Sequence, residues 1–386
     1  MVKNSIIGIV GLCIGIGIAV MVYSSGLDRL RSPVENIFSP FSSKKQVIGF
    51  FPYWAQETAT SDYSSLTTFA YFGLTVGSDG AIVKMNNEQE ENTGWHLLNS
   101  GALQDRFSLA KKNGQSLSLV VFNGVEDSIH QLISDPRAHA DTLMNEVIPI
   151  MKKHGFTDLN IDIESTTEAS DEARLHFTEF IQEIRKSMKE QNAGTVTIDV
   201  SPIVLVKKYL VDVPSITSFV DQIVFMTYDY HYQGSSVSGP VAPLYGGATI
   251  SEFDVAQAMQ EAIKTLPKEK IIMGIPLYGY EWETIGDTPR SAVIPGSGLA
   301  ASNRRVENLF KECTTCTLAE EKEAIEHYVV YKDETTHVFH QIYFPDIKSM
   351  QAKLQFATDL NLGGVALWAL GYEGSTILNP LKDYKK

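Results

Sequence analysis

The stretch Phe156-Thr157-Asp158-Leu159-Asn160-Ile161-Asp162-Ile163-Glu164 alternates acidic or amide side chains with branched apolar ones. Side chains on a β-strand point to opposite faces in turn. Asn160, Asp162 and Glu164 therefore face one way, and Leu159, Ile161 and Ile163 the other. Sending three carboxyl-type groups into one interior file is unfavourable without compensation. Such a file is tolerated where carboxylates do chemistry. A half-exposed edge strand with a polar outer face is the plainer alternative. The neighbouring segments argue against it, because near-continuous apolar runs mark strands covered on both sides and make this strand a central one.

Working outward, eight short β-rich runs recur. They are Val47–Pro52, Thr68–Val76, Ser116–Phe122, Asp158–Glu164, Thr195–Pro202, Ile223–Asp229, Ile271–Tyr278 and Gly364–Leu370. Helical patterns lie between many of them. Phe177, Phe180, Ile181, Ile184 and Met188 follow helical spacing, with Ser170-Asp171-Glu172 as the start. Ala140–His154 stops at Gly155, Ser251–Leu266 stops at Pro267, and Asp346–Leu360 leads into the last strand. Strands and helices in alternation predict an α/β fold, a (β/α)8 TIM barrel over residues 46–383. A doubly wound open sheet would want a Gly-rich phosphate turn, and the sequence carries none. The gap between strands seven and eight is too long for one helix, which predicts an insertion at about 283–345. Within it, Arg304–Cys313 and Leu318–His327 read as helices, with Glu320-Glu321-Lys322-Glu323 as a solvated face. Tyr328–Tyr331 and Val338–Tyr343 read as a hairpin around Lys332-Asp333-Glu334, and His337 and His340 as solvated side chains.

The chain has 386 residues, 44% of them hydrophobic, enough for one large domain or two ordinary ones. Its formal net charge is -14 and no Lys/Arg stripe is visible, which excludes nucleic acid as the expected partner. Residues 1–25 differ in kind. No charge falls between Lys3 and Asp28, and Ser5 to Ser24 form an apolar run. A run of about 20 apolar residues can span a bilayer. It exceeds the usual signal-peptide core of about 7–15 residues. An uncleaved transmembrane anchor is therefore expected in preference to a signal cleaved near Val22-Tyr23-Ser24. Lys3 on one side and Arg29 and Arg31 on the other leave the orientation open. Residues 26–45, rich in Ser, Pro and charge, read as a linker. Of three cysteines, Cys13 lies in the apolar run without the small residue before it that lipidation wants. Cys313 and Cys316 form either a short-loop disulfide, if the domain is exported, or two inert thiols. One such pair cannot complete a zinc site, and none of the nine histidines makes a metal motif, so neither metal nor cofactor is expected.

In a barrel of this kind, active sites lie at the carboxyl ends of the strands. Those ends are unusual here. They carry Tyr53 and Trp54, then Asp162 and Glu164, then Met226, Tyr228 and Asp229, then Tyr278, Tyr280, Glu281 and Trp282, and finally Trp368. Aromatic rings beside carboxylates suit a sugar, whose C–H faces pack on rings while its hydroxyls need polar partners. A single aromatic is more often core than ligand; aromatics at four strand ends point to a binding cleft.

These residues resemble glycoside hydrolase family 18, the chitinase-like enzymes. The family's Asp-x-Asp-x-Glu stands here as Asn160-x-Asp162-x-Glu164, and its Met-x-Tyr-Asp as Met226-Thr227-Tyr228-Asp229. Ser238–Leu244, Gly274–Gly279 and Gly363–Trp368 also look like family segments. The resemblance runs from about Gln46 to Leu381. It implies a substrate-assisted mechanism, outside the usual two-carboxylate scheme. Glu164 would be the general acid and then the base. Asp162 would hold the substrate's acetamido N–H and stabilise the positive oxazolinium-type intermediate. Tyr228 would align the acetamido oxygen that attacks the anomeric carbon. Met226, Asp229, Tyr53, Tyr278 and Trp282 would line the cleft, and Trp368 would form its floor. A second carboxylate on the same strand face also raises the pKa of an acid that must work near neutral pH.

Two departures stand out. Asn160 replaces the family's first Asp; an amide still hydrogen-bonds Asp162 but cannot accept its proton, so Asp162 is expected to be more uniformly ionised. Tyr280 stands where many chitinases carry Arg. Both resemble the spore-cortex and cell-wall branch, which often carries peptidoglycan-binding modules not legible here. Asp199 either faces the site or hydrogen-bonds within the barrel. The expectation is a membrane-anchored, extracytoplasmic hydrolase, or a secreted one if the leader is cleaved. Its partner is a β-1,4-linked N-acetylglucosamine polymer, with a lean to cell-wall glycan over chitin. The competing reading is a non-catalytic, lectin-like glycan binder on the same barrel, and a structural wall anchor is a third. Lectin-like members of the family typically lose the acid, and Glu164 is present.

Overall fold

The structure, a computed structural model, describes residues 45–60 and 63–384. The expected anchor over 1–25 and all of the linker except Lys45 lie outside them. Among the described residues no helix is long and apolar enough to cross a membrane.

Seven parallel strands open the fold: β1 (Gln46–Pro52), β2 (Thr68–Thr75), β3 (Ser116–Asn123), β4 (Asp158–Ile163), β5 (Thr195–Val200), β6 (Gln222–Phe225) and β7 (Ile271–Pro276). An inserted lobe follows, with strands β8 (Tyr278–Thr284), β9 (Leu299–Ser302), β10 (Thr317–Glu321), β11 (Glu326–Lys332) and β12 (Phe339–Phe344). Strand β13 (Gly364–Trp368) then closes the barrel by pairing with both β1 and β7. The result is a closed barrel of eight parallel strands, each of the eight expected runs supplying one.

Strand β4 lies between β3 and β5, and all six of its residues are buried. Leu159, Ile161 and Ile163 join the outer apolar layer with residues such as Leu143, Val147, Phe177 and Ile181. Those partners come from helices α1 (Pro136–His154) and α2 (Asp171–Glu190). Helix α1 ends where Gly155 takes a φ of 77°, a conformation glycine adopts without Cβ strain. Helix α2 starts where the Ser170 hydroxyl accepts the Ala173 N–H at 3.1 Å. Its Phe177, Phe180, Ile181, Ile184 and Met188 are all 0% exposed, as the helical spacing predicts. Each contributes about 1.5–3 kcal/mol by leaving water. Inside the barrel, Ile48, Phe50, Ala70, Val120, Val224, Ile272 and Ala366 form a separate apolar cluster. The sector beneath β4 is polar instead. Asp158 is buried there, accepting the hydroxyls of Ser118 and Thr195 at 2.6 Å and of Thr197 at 3.0 Å. Those three bonds offset its burial.

The inserted lobe is a five-stranded antiparallel sheet in the order β9-β8-β12-β11-β10. It begins at Tyr278, earlier than expected, because β7 stops at Pro276, which has no N–H to extend the ladder. A helix α3 (Asn303–Glu312) and a hairpin joining β11 to β12 are as expected. The expected helix over Leu318–His327 is not formed. Residues Thr317–Glu321 are strand β10 and pair with Glu326–Val330. The helix propensity of a Glu/Lys/Ala-rich run is a weak preference, and a neighbouring strand edge overrides it. Cys313 and Cys316 are disulfide-bonded. His337 is exposed, but His340 is half-buried, stacked on Tyr331 and hydrogen-bonded to Glu281. A buried ion pair ties the lobe to the barrel, beside the more exposed Lys348–Glu320 pair. Glu326 of β11, fully buried, accepts the backbone N–H of Val241 and Ala242 and the Lys353 ammonium at 3.3 Å. Lys353 belongs to α4 (Ile347–Asp359) and is equally buried.

Candidate active site

The carboxyl ends of the strands surround a cavity of about 210 Å³. Four carboxyl groups line it: Asp162 and Glu164 from β4 and just beyond, Asp199 from β5, and Asp229 after β6. The Tyr228 ring and an apolar wall of Phe50, Met226 and Trp368 complete it. Strand β6 is shorter than expected. It ends at Phe225, so Met226, Tyr228 and Asp229 sit on irregular backbone, with Asp229 in the left-handed region at a φ of 61°. That conformation is open to aspartate more readily than to most residues.

The electrostatics follow from burial without a cation, since among the described residues no Lys, Arg or His lines the cavity. Burial first, then the charges of Asp199 and Glu164, push the Asp162 carboxyl well above the usual carboxylate range. Burial and then Asp229 raise Glu164. Burial also raises Asp199 well above that range, against the Asn160 hydrogen bond that favours its anion. Burial, aided by four surrounding carboxylates, keeps the Tyr228 phenol protonated. Two expectations are thereby corrected. Burial and the neighbouring acids oppose ionisation of Asp162, contrary to the uniformly ionised group expected from Asn160. The Asn160 amide is also not spent on Asp162: its Nδ2 donates to Asp199 Oδ1 at 2.9 Å. Asp162 Oδ1 and Asn160 Oδ1 are both buried with no hydrogen-bond donor among the described residues.

Trp368 at the end of β13 is fixed by aromatic edges. Its ring centroid lies 5.0 Å from Phe72, 5.8 Å from Phe50 and 6.3 Å from Trp54. Tyr53 is half-buried and lines an adjoining hollow of about 340 Å³ with Trp54, Phe72, Glu164 and Trp368. On the opposite side, a hollow of about 490 Å³ shares Glu164, Asp199, Met226 and Asp229 with the central cavity. A further hollow of about 500 Å³ adjoins through Ser201, Tyr228 and Asp229. Glu164 thus lines three of these four hollows, an extended lining that suits a chain-like ligand better than a compact one.

Two expected cleft residues lie elsewhere. Tyr278 is buried behind Asp229, its hydroxyl donating to Asp229 Oδ1 at 2.5 Å beside that of Tyr280 at 3.1 Å. It positions Asp229 and does not line the central cavity. Trp282 is 0% exposed, packed on Tyr280 and Tyr343, with its indole N–H donated to the Tyr232 carbonyl at 3.2 Å. The reason is the strand period: Tyr278, Tyr280 and Trp282 share one face of β8, and that face is the core of the inserted lobe. Glu281, on the opposite face, is bound by Arg305, Tyr331 and His340. Its burial is outweighed by the His340 and Tyr331 hydrogen bonds and the Arg305 charge, which lower it to about 2. The sequence pattern singled out Trp54 at its strand end but not Phe72 or Phe50, and left Asp199 undecided. The alternation of β1 and β5 carries the signal for Phe50 and Asp199.

The sequence profile described as Glycosyl hydrolases family 18 matches residues 46–373. The chain belongs to this family. Family 18 relatives include a Bacillus subtilis protein designated a sporulation-specific glycosylase, 28% identical over 63% of this chain and 53% of its own length. The Bacillus subtilis cortical fragment-lytic enzyme is 24% identical over 68% of this chain and 59% of its own length. The chain thus spans less than two thirds of either relative. Among solved structures, the Ostrinia furnacalis Group IV chitinase superposes with a TM-score of 0.75 at 20% identity, covering 88% of this chain and 99% of that one. At that identity the likeness shows the shared family 18 barrel and no more.

Proposed function

We propose that this family 18 protein hydrolyses glycans containing β-1,4-linked N-acetylglucosamine by a substrate-assisted, retaining route. One observation carries the reading: Glu164, Asp162 and Tyr228 line a single cavity floored by Trp368. Glu164, whose pKa is raised by burial and by Asp229, is the general acid that protonates the glycosidic oxygen. Asp162 turns its unpaired buried oxygen to the acetamido N–H. The Tyr228 phenol donates to the acetamido oxygen while that oxygen attacks the anomeric carbon. Glu164, now ionised, activates the water that opens the oxazolinium intermediate. The names of the bacterial relatives favour a cell-wall glycan, and those of the insect enzymes keep chitin-type oligomers in view. The uncharged apolar run over Ser5 to Ser24 and the disulfide in the inserted lobe support an anchored, extracytoplasmic placement.

The test is release of reducing ends from N-acetylglucosamine oligomers and from purified peptidoglycan, for the wild type and Glu164→Gln. Loss of the acid is expected to lower kcat by roughly 10²–10⁴-fold with binding retained. The wild-type kcat/KM is expected to fall as pH rises through the elevated pKa of Glu164. Binding without turnover in the wild type would replace the hydrolase reading with the lectin-like one.

A further inference from the structure

The four carboxyls of the cavity raise a question that the mechanism above leaves open. Asp162 has to turn anionic when positive charge builds beside it, so its proton needs a destination. Asn160 offers none. The register supplies another group. Ile161 of β4 pairs with Ile198 of β5, so the next residues along are Asp162 and Asp199. Both line the cavity, and adjacent strands lie about 4.8 Å apart. Asn160 lies one inward step below Asp162, and its amide N–H is bonded to Asp199 Oδ1 at 2.9 Å.

We propose that Asp199 is a positioning carboxylate of the reaction, oriented by the Asn160 N–H and accepting the Asp162 proton when the substrate becomes cationic. This rests on the hydrolase reading. In the resting pair, Asp162 is neutral and Asp199 carries the single charge. As the acetamido oxygen closes on the anomeric carbon, one proton passes from Asp162 to Asp199, and the charge moves next to the oxazolinium cation. The proton returns when water opens the ring, so the pair is unchanged over one turnover. Every titratable group facing Asp162 is acidic: Glu164 on its own strand, Asp199 on the next, and Tyr228 and Asp229 beyond β6. Asp158, below Asp199, is acidic too. Among the described residues no basic group lines the cavity to compete for the role.

Asp199→Asn keeps an oxygen to accept the Asn160 N–H and deletes only the charge. A residue serving merely to hold Asn160 would tolerate it. If Asp199 takes the proton, Asp162 in the variant ionises only by losing its proton to solvent. The kcat is then expected to fall roughly tenfold at pH 5, to recover toward wild type at pH 8, and to leave KM little changed. Moving the carboxylate across the bond, in Asn160→Asp/Asp199→Asn, is expected to restore most of the rate at pH 5. A rate unchanged by Asp199→Asn, or lowered equally at every pH, overturns the proposal. A second readout needs no turnover: ¹³C-carboxyl NMR of the full chain, with Asp162 assigned through Asp162→Asn. Its titration midpoint is expected to fall in Asp199→Asn, as the neighbouring charge is removed, while burial holds it above the ordinary carboxyl range. An unchanged midpoint overturns the proposal, whereas a wild type that turns over no glycan removes the hydrolase reading and leaves this readout to decide the coupling.

Discussion

Replacing Glu281 by Gln tests how the inserted lobe supports the cleft. Glu281 is 3% exposed and lies on β8 between Tyr280, which donates to Asp229, and Trp282. Its carboxyl is lowered from the ordinary 4.5 to about 2, with burial opposing and His340, Tyr331 and Arg305 prevailing. At about 1.36 kcal/mol per pKa unit, that difference stabilises the fold by about 3 kcal/mol. A depressed folded-state pKa gives stability that is complete above the unfolded value and fades as pH falls toward about 2. His340 is raised, chiefly by its bond to Glu281, so its share is complete below the ordinary 6.5 and is lost as pH rises through the raised value. The gap between wild type and Glu281→Gln is therefore widest between these limits. Urea unfolding followed by tryptophan fluorescence, which includes Trp282 on the same strand, is the assay. We expect a gap of about 3 kcal/mol at pH 6, less than half of that at pH 3, and a narrower gap again at pH 9. A gap under about 0.5 kcal/mol at pH 6, or one constant from pH 3 to 9, would refute the electrostatic account.

Lys353→Met leaves the Glu326 carboxylate buried and unpaired, and a loss of about 3–5 kcal/mol is expected in the same unfolding assay. Adding Glu326→Gln should recover part of it, and a neutral single variant would show that the pair contributes nothing to docking the lobe. Trp368→Ala removes the cleft floor. About 2 kcal/mol of transition-state binding corresponds to a roughly thirtyfold lower kcat/KM on oligomers, while melting should show the fold intact. Tyr278→Phe frees Asp229 from its shortest hydrogen bond and should lower kcat with the cleft still occupied by ligand; unaltered kinetics would mean that Asp229 needs no such support.

Much of this protein is legible in one dimension. The period-two alternation of β4 determined that Asn160 and Asp162 turn inward, because a strand has only two faces. The eight apolar runs and the helical spacing of Phe177 to Met188 determined a barrel wrapped in helices, since both patterns report which face avoids water. The motifs around Glu164 and Tyr228 named the family. Pattern fails where the deciding partner is distant in sequence. Leu318–His327 reads as helix by propensity, and its first part becomes a strand because β11 offers it an edge. The aromatic stripe Tyr278, Tyr280 and Trp282 reads as a sugar platform and becomes a lobe core, because only packing decides whether a given face meets water or a neighbour. Asp199 shows the limit most clearly. Its place in the chain says that it faces inward, but its pKa is raised by burial and by Glu164, against the Asn160 hydrogen bond, from a segment 35 or more residues earlier. Direction along a strand is local geometry, whereas the charge a buried group can hold depends on everything brought within a few ångströms of it.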